Sequence, residues 1–186
     1  HEMIATYLSA KRRTVYDDQK LQVWASCDDL PWFASNKRRQ DLTLMTIYEE
    51  DNRLHLDFDL IELKFINDNI FEKERNDAIK QVISGKELVG KLFYFSNPQL
   101  DSEFWRGELI QYLIEKNAYK PEYIHILKKL QHIPLEEIKV KIKGYADVYC
   151  YTSNLTDCSF KQLEDGVYFE EKQSNIDNYM FTRSYI

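Results

Sequence analysis

The stretch Leu42–Ile66 reads LTLMTIYEEDNRLHLDFDLIELKFI, and its patterning decides the fold. In its second half Leu54, Leu56, Phe58 and Leu60 alternate with His55, Asp57 and Asp59. A period of two sends the first set to one face and the second set to the other, as in a half-buried antiparallel strand. Leu42 to Tyr48 forms the partner arm, and the polar run Glu49-Glu50-Asp51-Asn52-Arg53 suits the turn of a hairpin. Past Leu60 the phase slips by one, so that Ile61, Leu63 and Phe65 become the apolar set. A bulge near Leu60-Ile61 is the expected way to absorb that slip.

Toward the N-terminus, Ile4–Leu8 and Leu21–Trp24 read as strands, separated by a turn through Lys11-Arg12-Arg13 and Tyr16-Asp17-Asp18. Cys27–Phe33, with its Asp-Asp and Pro31, reads as a loop that continues through Asn36-Lys37-Arg38-Arg39. Toward the C-terminus, Asn69 and Glu72 form a capping-box pattern for a helix over Ile70–Ser84, and Gly85 supplies its stop. Leu88–Phe95 is expected to be a buried strand. Two helices follow over 101–116 and 121–132, the second opened by Pro121. Ile138, Val140 and Ile142 alternate with Lys139, Lys141 and Lys143 in a further strand. Gly144 is read as its end, Ala146–Tyr151 as a returning strand, and Gly166–Glu171 and Tyr179–Tyr185 as the last two. The order of elements predicts an α+β fold: a largely antiparallel sheet with about three helices packed on one face. Residues 3–186 are expected to form a single domain, with His1-Glu2 a cloning remnant ahead of Met3.

Composition supports a packed core. Of 186 residues 44% are hydrophobic and 14% aromatic, against only 5 Gly and 4 Pro, which excludes a disordered or loop-rich chain. Cys27, Cys150 and Cys158 are an odd, scattered set, so a reducing compartment, the cytoplasm, is expected. No apolar run approaches the ~20 residues of a membrane span. Net charge is −6 and uneven: residues 1–40 carry 7 Lys/Arg against 5 Asp/Glu, the remainder 18 against 26. An acidic body disfavours general attraction to phosphate backbones and favours a basic protein partner.

Phosphate-cradling glycine loops, GxSxG and HExxH are all missing, and His55, His125 and His132 have no ligand spacing with the cysteines. Neither a cofactor nor a metal is therefore expected from motifs. Asp28 and Asp29 next to Cys27 disfavour its thiolate. The enzyme-like cluster is Asp57, Asp59, Glu62 and Lys64. With a bulge after Leu60 all four would share a face, as carboxylates around Mg²⁺ with a lysine beside the attacking water require. Glu62-Leu63-Lys64 resembles the acid-x-lysine signature of the restriction-endonuclease-like nucleases. The resemblance covers barely ten residues, and it implies an upstream Pro-Asp and a parallel αβ core, neither of which is read in this sequence. The competing account is the solvated face of an amphipathic strand.

Two further clusters suit protein contact. Trp32, Arg38 and Arg39 combine the residue types enriched at interface hot spots. Glu164, Asp165, Glu170 and Glu171, set among aromatics, suit docking onto a cationic partner. With no motif complete, the leading expectation is a non-enzymatic, protein-binding module: an immunity- or antitoxin-type inhibitor that occludes a cognate basic protein. The nuclease is the alternative, and an accessory subunit or chaperone of a larger assembly the third reading.

Overall fold

A computed structural model describes residues 2–15, 17, 19–34, 39–67, 70–117, 121–150, 161–164, 167–173 and 176–181. The chain is an α+β domain. Helix α1 (Glu2–Arg13) precedes strands β1 (Lys20–Ser26), β2 (Leu42–Glu50) and β3 (Arg53–Ile66). Helices α2 (Phe71–Phe93), α3 (Ser102–Asn117) and α4 (Ile124–His132) follow, and then β4 (Ile138–Cys150), β5 (Lys161–Glu164), β6 (Val167–Gln173) and β7 (Ile176–Phe181). Among the described residues the sheet has seven strands in the order β1-β2-β3-β4-β7-β6-β5. Four of the neighbouring pairs are antiparallel, whereas β3–β4 and β4–β7 are parallel. The three helices between β3 and β4 supply the crossover that parallel pairing needs.

The hairpin predicted from 42–66 is present, with a tighter turn. Glu50 pairs with Arg53, leaving Asp51 and Asn52 as the two turn residues at φ 52° and 61°. Positive φ at both positions marks the turn type whose twist suits a two-residue hairpin. The β2–β3 register then runs unbroken to Leu42↔Ile61, so there is no bulge at Leu60-Ile61. The phase slip has another cause. Leu60, Ile61 and Glu62 are all buried, because from that point helices cover both faces of β3. On one side Phe58 and Leu60 join Met45, Ile47, Val89, Phe93, Leu109, Leu113 and Leu130 in the main core. On the other, Leu63 and Phe65 pack beside Ala5 and Leu8 of α1, with Tyr149 and Phe181.

Helix α1 replaces the first expected strand. Ala5, Ser9 and Arg13 fall on one face at helical spacing, and all three meet the sheet. Ser9 Oγ donates to Asp147 Oδ2 at 2.7 Å, and Arg13 reaches both oxygens of the buried Asp147 at 2.6 and 2.8 Å. Lys11, Arg12 and Arg13 occupy the last turn, where cations complement the helix dipole.

Two glycines read as breaks lie inside elements. Helix α2 runs through Gly85 to Phe93 and absorbs the strand expected at Leu88–Phe95. A Cβ on Gly85 would lie 2.1 Å from Gln40 Oε1, so its role is close approach to the segment before β2. Strand β4 likewise runs through Gly144, where a Cβ would lie 2.4 Å from Val82 Cγ1. Both residues let α2 settle onto the sheet.

Candidate functional site

An unbroken β3 separates the predicted carboxylate cluster into two pairs on opposite faces. Asp57 and Asp59 lie on the α1 side, and Glu62 and Lys64 on the α2 side. Asp57 stands between Thr46 and Lys141, and Asp59 between Leu44 and Lys143. Each has one carboxylate oxygen buried without a hydrogen-bond partner. Burial pushes both carboxyls above their ordinary value, opposed by Lys141 and Lys143.

The other pair gains an acid from outside the predicted cluster. Glu62 is 1% exposed, and its Oε1 lies 2.7 Å from Lys64 Nζ. Asp41, one residue before β2, reaches the same end of β3: its Oδ2 accepts the Leu63 N–H at 2.8 Å. Burial first and the Asp41 charge second push the Glu62 carboxyl up to about 7, against the pull of Lys64. The Lys64 ammonium is itself favoured, since the bond to Glu62 and the charge of Asp41 outweigh its burial. It also donates to Gln81 Oε1 of α2 at 3.2 Å, while Gln81 Nε2 donates to the Arg39 carbonyl at 3.2 Å. Asp41, Glu62 and Lys64 are thus joined to α2 and to the segment before β2.

A cleft of about 410 Å³ opens beside Asp41, lined by Ala5 and Thr6 of α1, by Ser26, Asp28 and Arg39–Leu42, and by Leu63 and Phe65. At its wall Arg39 Nε forms an ion pair with Asp28 Oδ1.

The expected partner-binding residues scatter. Trp32 is 3% exposed and packs edge-on against Phe93 with centroids 5.1 Å apart, so it belongs to the core and offers no exposed anchor. Arg38 lies outside the described residues, and Arg39 lines the cleft. Glu164 lies on β5 and Glu170 and Glu171 on β6, while Asp165 is outside the described residues. Cys27 is buried and its thiol is pushed up to about 12 by burial, which removes it as a nucleophile. Cys150 is also buried, and Cys158 falls outside the described residues. Among the described residues no three His, Cys, Asp or Glu converge as a metal cluster, and no helix is long and apolar enough to cross a membrane.

Asp41 and Gln81 were not singled out from the sequence. One signal was available for Asp41: a two-residue turn at 51–52 pairs residues whose numbers total 103, which carries 41 opposite 62. No comparable short-range signal exists for Gln81, which depends on how α2 packs. The chain matches no family model, no curated protein and no solved structure.

Proposed function

We propose that this protein is a metal-dependent nuclease whose site is Asp41, Glu62 and Lys64. The observation that carries the reading is the meeting of Asp41 with Glu62-Leu63-Lys64 at one end of the hairpin, where Asp41 alone of the three also lines the cleft on the α1 side of β3. The resemblance to the restriction-endonuclease-like nucleases implies an upstream acid and a parallel αβ core. Asp41, preceded by Gln40 in place of proline, supplies an upstream acid, and β3 and β4 are parallel across a helical crossover. Asp57 and Asp59 have no part in this site.

The donor set suits a hard cation. Mg²⁺ is commonly held by one or two carboxylates, with water and substrate phosphate completing its shell. Asp41 and Glu62 are such a pair, and Glu62 Oε2 is buried with no hydrogen-bond partner. When bound there, a divalent ion would supply Lewis-acid stabilisation of charge on the phosphoryl oxygens. The chain supplies the rest. Glu62 Oε1 and Gln81 Oε1 fix the Lys64 ammonium between them, so its charge is oriented before substrate arrives. Asp41 is anchored by the Leu63 N–H and presents its carboxylate at the cleft wall.

The test is cleavage of DNA and RNA by the purified protein with Mg²⁺ or Mn²⁺. Asp41→Ala, Glu62→Ala and Lys64→Ala should each lower the rate about 100-fold or more, while Asp57→Ala and Asp59→Ala should not. Equal loss in both sets, or no activity in wild type with either metal, would refute the assignment. The inhibitor reading stands second, supported by the acidic residues Glu164, Glu170 and Glu171 on strands at the end of the sheet away from β1.

A further inference from the structure

Resting on the nuclease reading, we infer that Arg39 grips a backbone phosphate flanking the scissile one, and that Asp28 holds its place until nucleic acid binds. Three observations carry this. Arg39 and Asp28 line the same cleft as Asp41, so a strand presented to Asp41 passes their side chains. The Arg39 backbone is fastened to the site, because its carbonyl accepts from Gln81, which also holds Lys64. Its guanidinium, about one-third exposed, is occupied by the carboxylate of Asp28, which is 68% exposed.

A carboxylate and a phosphate offer guanidinium the same chemistry: paired anionic oxygens that a fork of N–H donors can grip. On a protein of net charge −6 a strand is repelled by the body as a whole and needs a local cation where it lies. Asp28 neutralises that cation in the free protein. The exposed Asp28–Arg39 pair is of a kind that holds weakly, since water and salt screen it. A phosphodiester delivered alongside Asp41 exchanges for Asp28 one for one, and Asp28 swings into solvent. Asp28 therefore acts as a competitor built into the cleft: it weakens binding of any phosphate that arrives without further contacts. Arg39 is a positioning residue, acting on the strand and not on the reacting bond.

The experiment measures binding of labelled single-stranded and duplex oligonucleotides by fluorescence anisotropy, in chelator so that no cleavage occurs, across a salt series. Removing one cation–phosphate interaction lowers the slope of log affinity against log salt by about 0.9 for duplex and about 0.7 for single strands. Arg39→Ala should lower the slope by about one such interaction and weaken binding by roughly tenfold at low salt, with Arg39→Lys intermediate. Asp28→Asn should tighten binding several-fold and leave the slope as steep as wild type or steeper. With Mg²⁺ added, the Arg39→Ala defect should fall chiefly on KM. Lys139→Ala, at the start of β4 and away from the cleft, should match wild type throughout. An unchanged slope in Arg39→Ala, or binding no tighter in Asp28→Asn, overturns the inference while leaving the nuclease site intact. Wild-type protein that neither binds nor cleaves any of these strands overturns both.

Discussion

Glu62 is a carboxylate held almost wholly out of water, 1% exposed, with a second acid for a neighbour. Its cost to the fold has a definite pH dependence. In the folded chain it keeps its proton up to about 7, whereas the free value is 4.5. Below about 4.5 both states are protonated and nothing is lost. As pH rises from 4.5 to 7 the unfolded chain sheds the proton first, so folding is progressively opposed, and above 7 the full cost is present. That cost is on the order of 3 kcal/mol from the size of the shift, which already includes the opposing pull of Lys64. Glu62→Gln should therefore melt above wild type at pH 8 in metal-free buffer, with the gap closing toward pH 5. A gap that does not change with pH would show that Glu62 is not held in this way. Such instability in the empty state is expected where a group is kept for binding a cation.

At the level of elements, legibility followed locality. The hairpin, α3 and α4 could be read because their signals are short-range: a period of two around a turn, and apolar stripes at helical spacing, the second opened by Pro121. Four elements differ from their sequence reading, each because a distant partner decides it. The apolar residues Ile4–Leu8 mimic a strand, but Ser9 and Arg13 are bound to Asp147, 138 and 134 residues away, and that contact makes the segment a helix. Gly85 and Gly144 look like breaks, yet each admits a side chain from elsewhere, Gln40 and Val82. The slip after Leu60 suggests a bulge, but it records a second helical layer. The site was half legible for the same reason. Glu62 and Lys64 are two apart in the chain, whereas Asp41 joins them only through the register and Gln81 only through α2. The α2–β4 contact gives a direct test. Gly144→Ala places a methyl group 2.4 Å from Val82 Cγ1 and 3.2 Å from Ile176 Cγ1. Overpacking of this kind costs about 1–3 kcal/mol, to be read from the denaturant midpoint. Shortening Val82 to Ala in the same chain should recover part of the loss. Wild-type stability in Gly144→Ala would mean that α2 does not approach β4 so closely.

For the molecule as a whole, the two layers over the sheet are held differently. The α2–α4 layer rests on a large apolar core. The α1 layer rests on a few apolar contacts and the Arg13–Asp147 pair, whose side chains are 9% and 0% exposed. Burial disfavours the Arg13 charge, but Asp147 outweighs it and raises the guanidinium pKa. Arg13→Ala leaves a buried carboxylate with only Ser9 and should cost about 3–5 kcal/mol, while an apolar replacement of both partners should cost far less. Equal losses in the single and double variants would argue against that account. The route from β3 to β4 has a further consequence, for synthesis. Residues 67–137 must leave the ribosome between these two central neighbours, and so remote a pairing is slow to form. Glu62 lies beside Ala146 in that pairing, so the strand that completes its surroundings is made after β2, β3 and all three intervening helices. A nascent chain that ends before residue 138 carries all three residues of the proposed site without the setting that tunes them. On the nuclease reading, a chain of that length is unarmed while it is held beside messenger RNA.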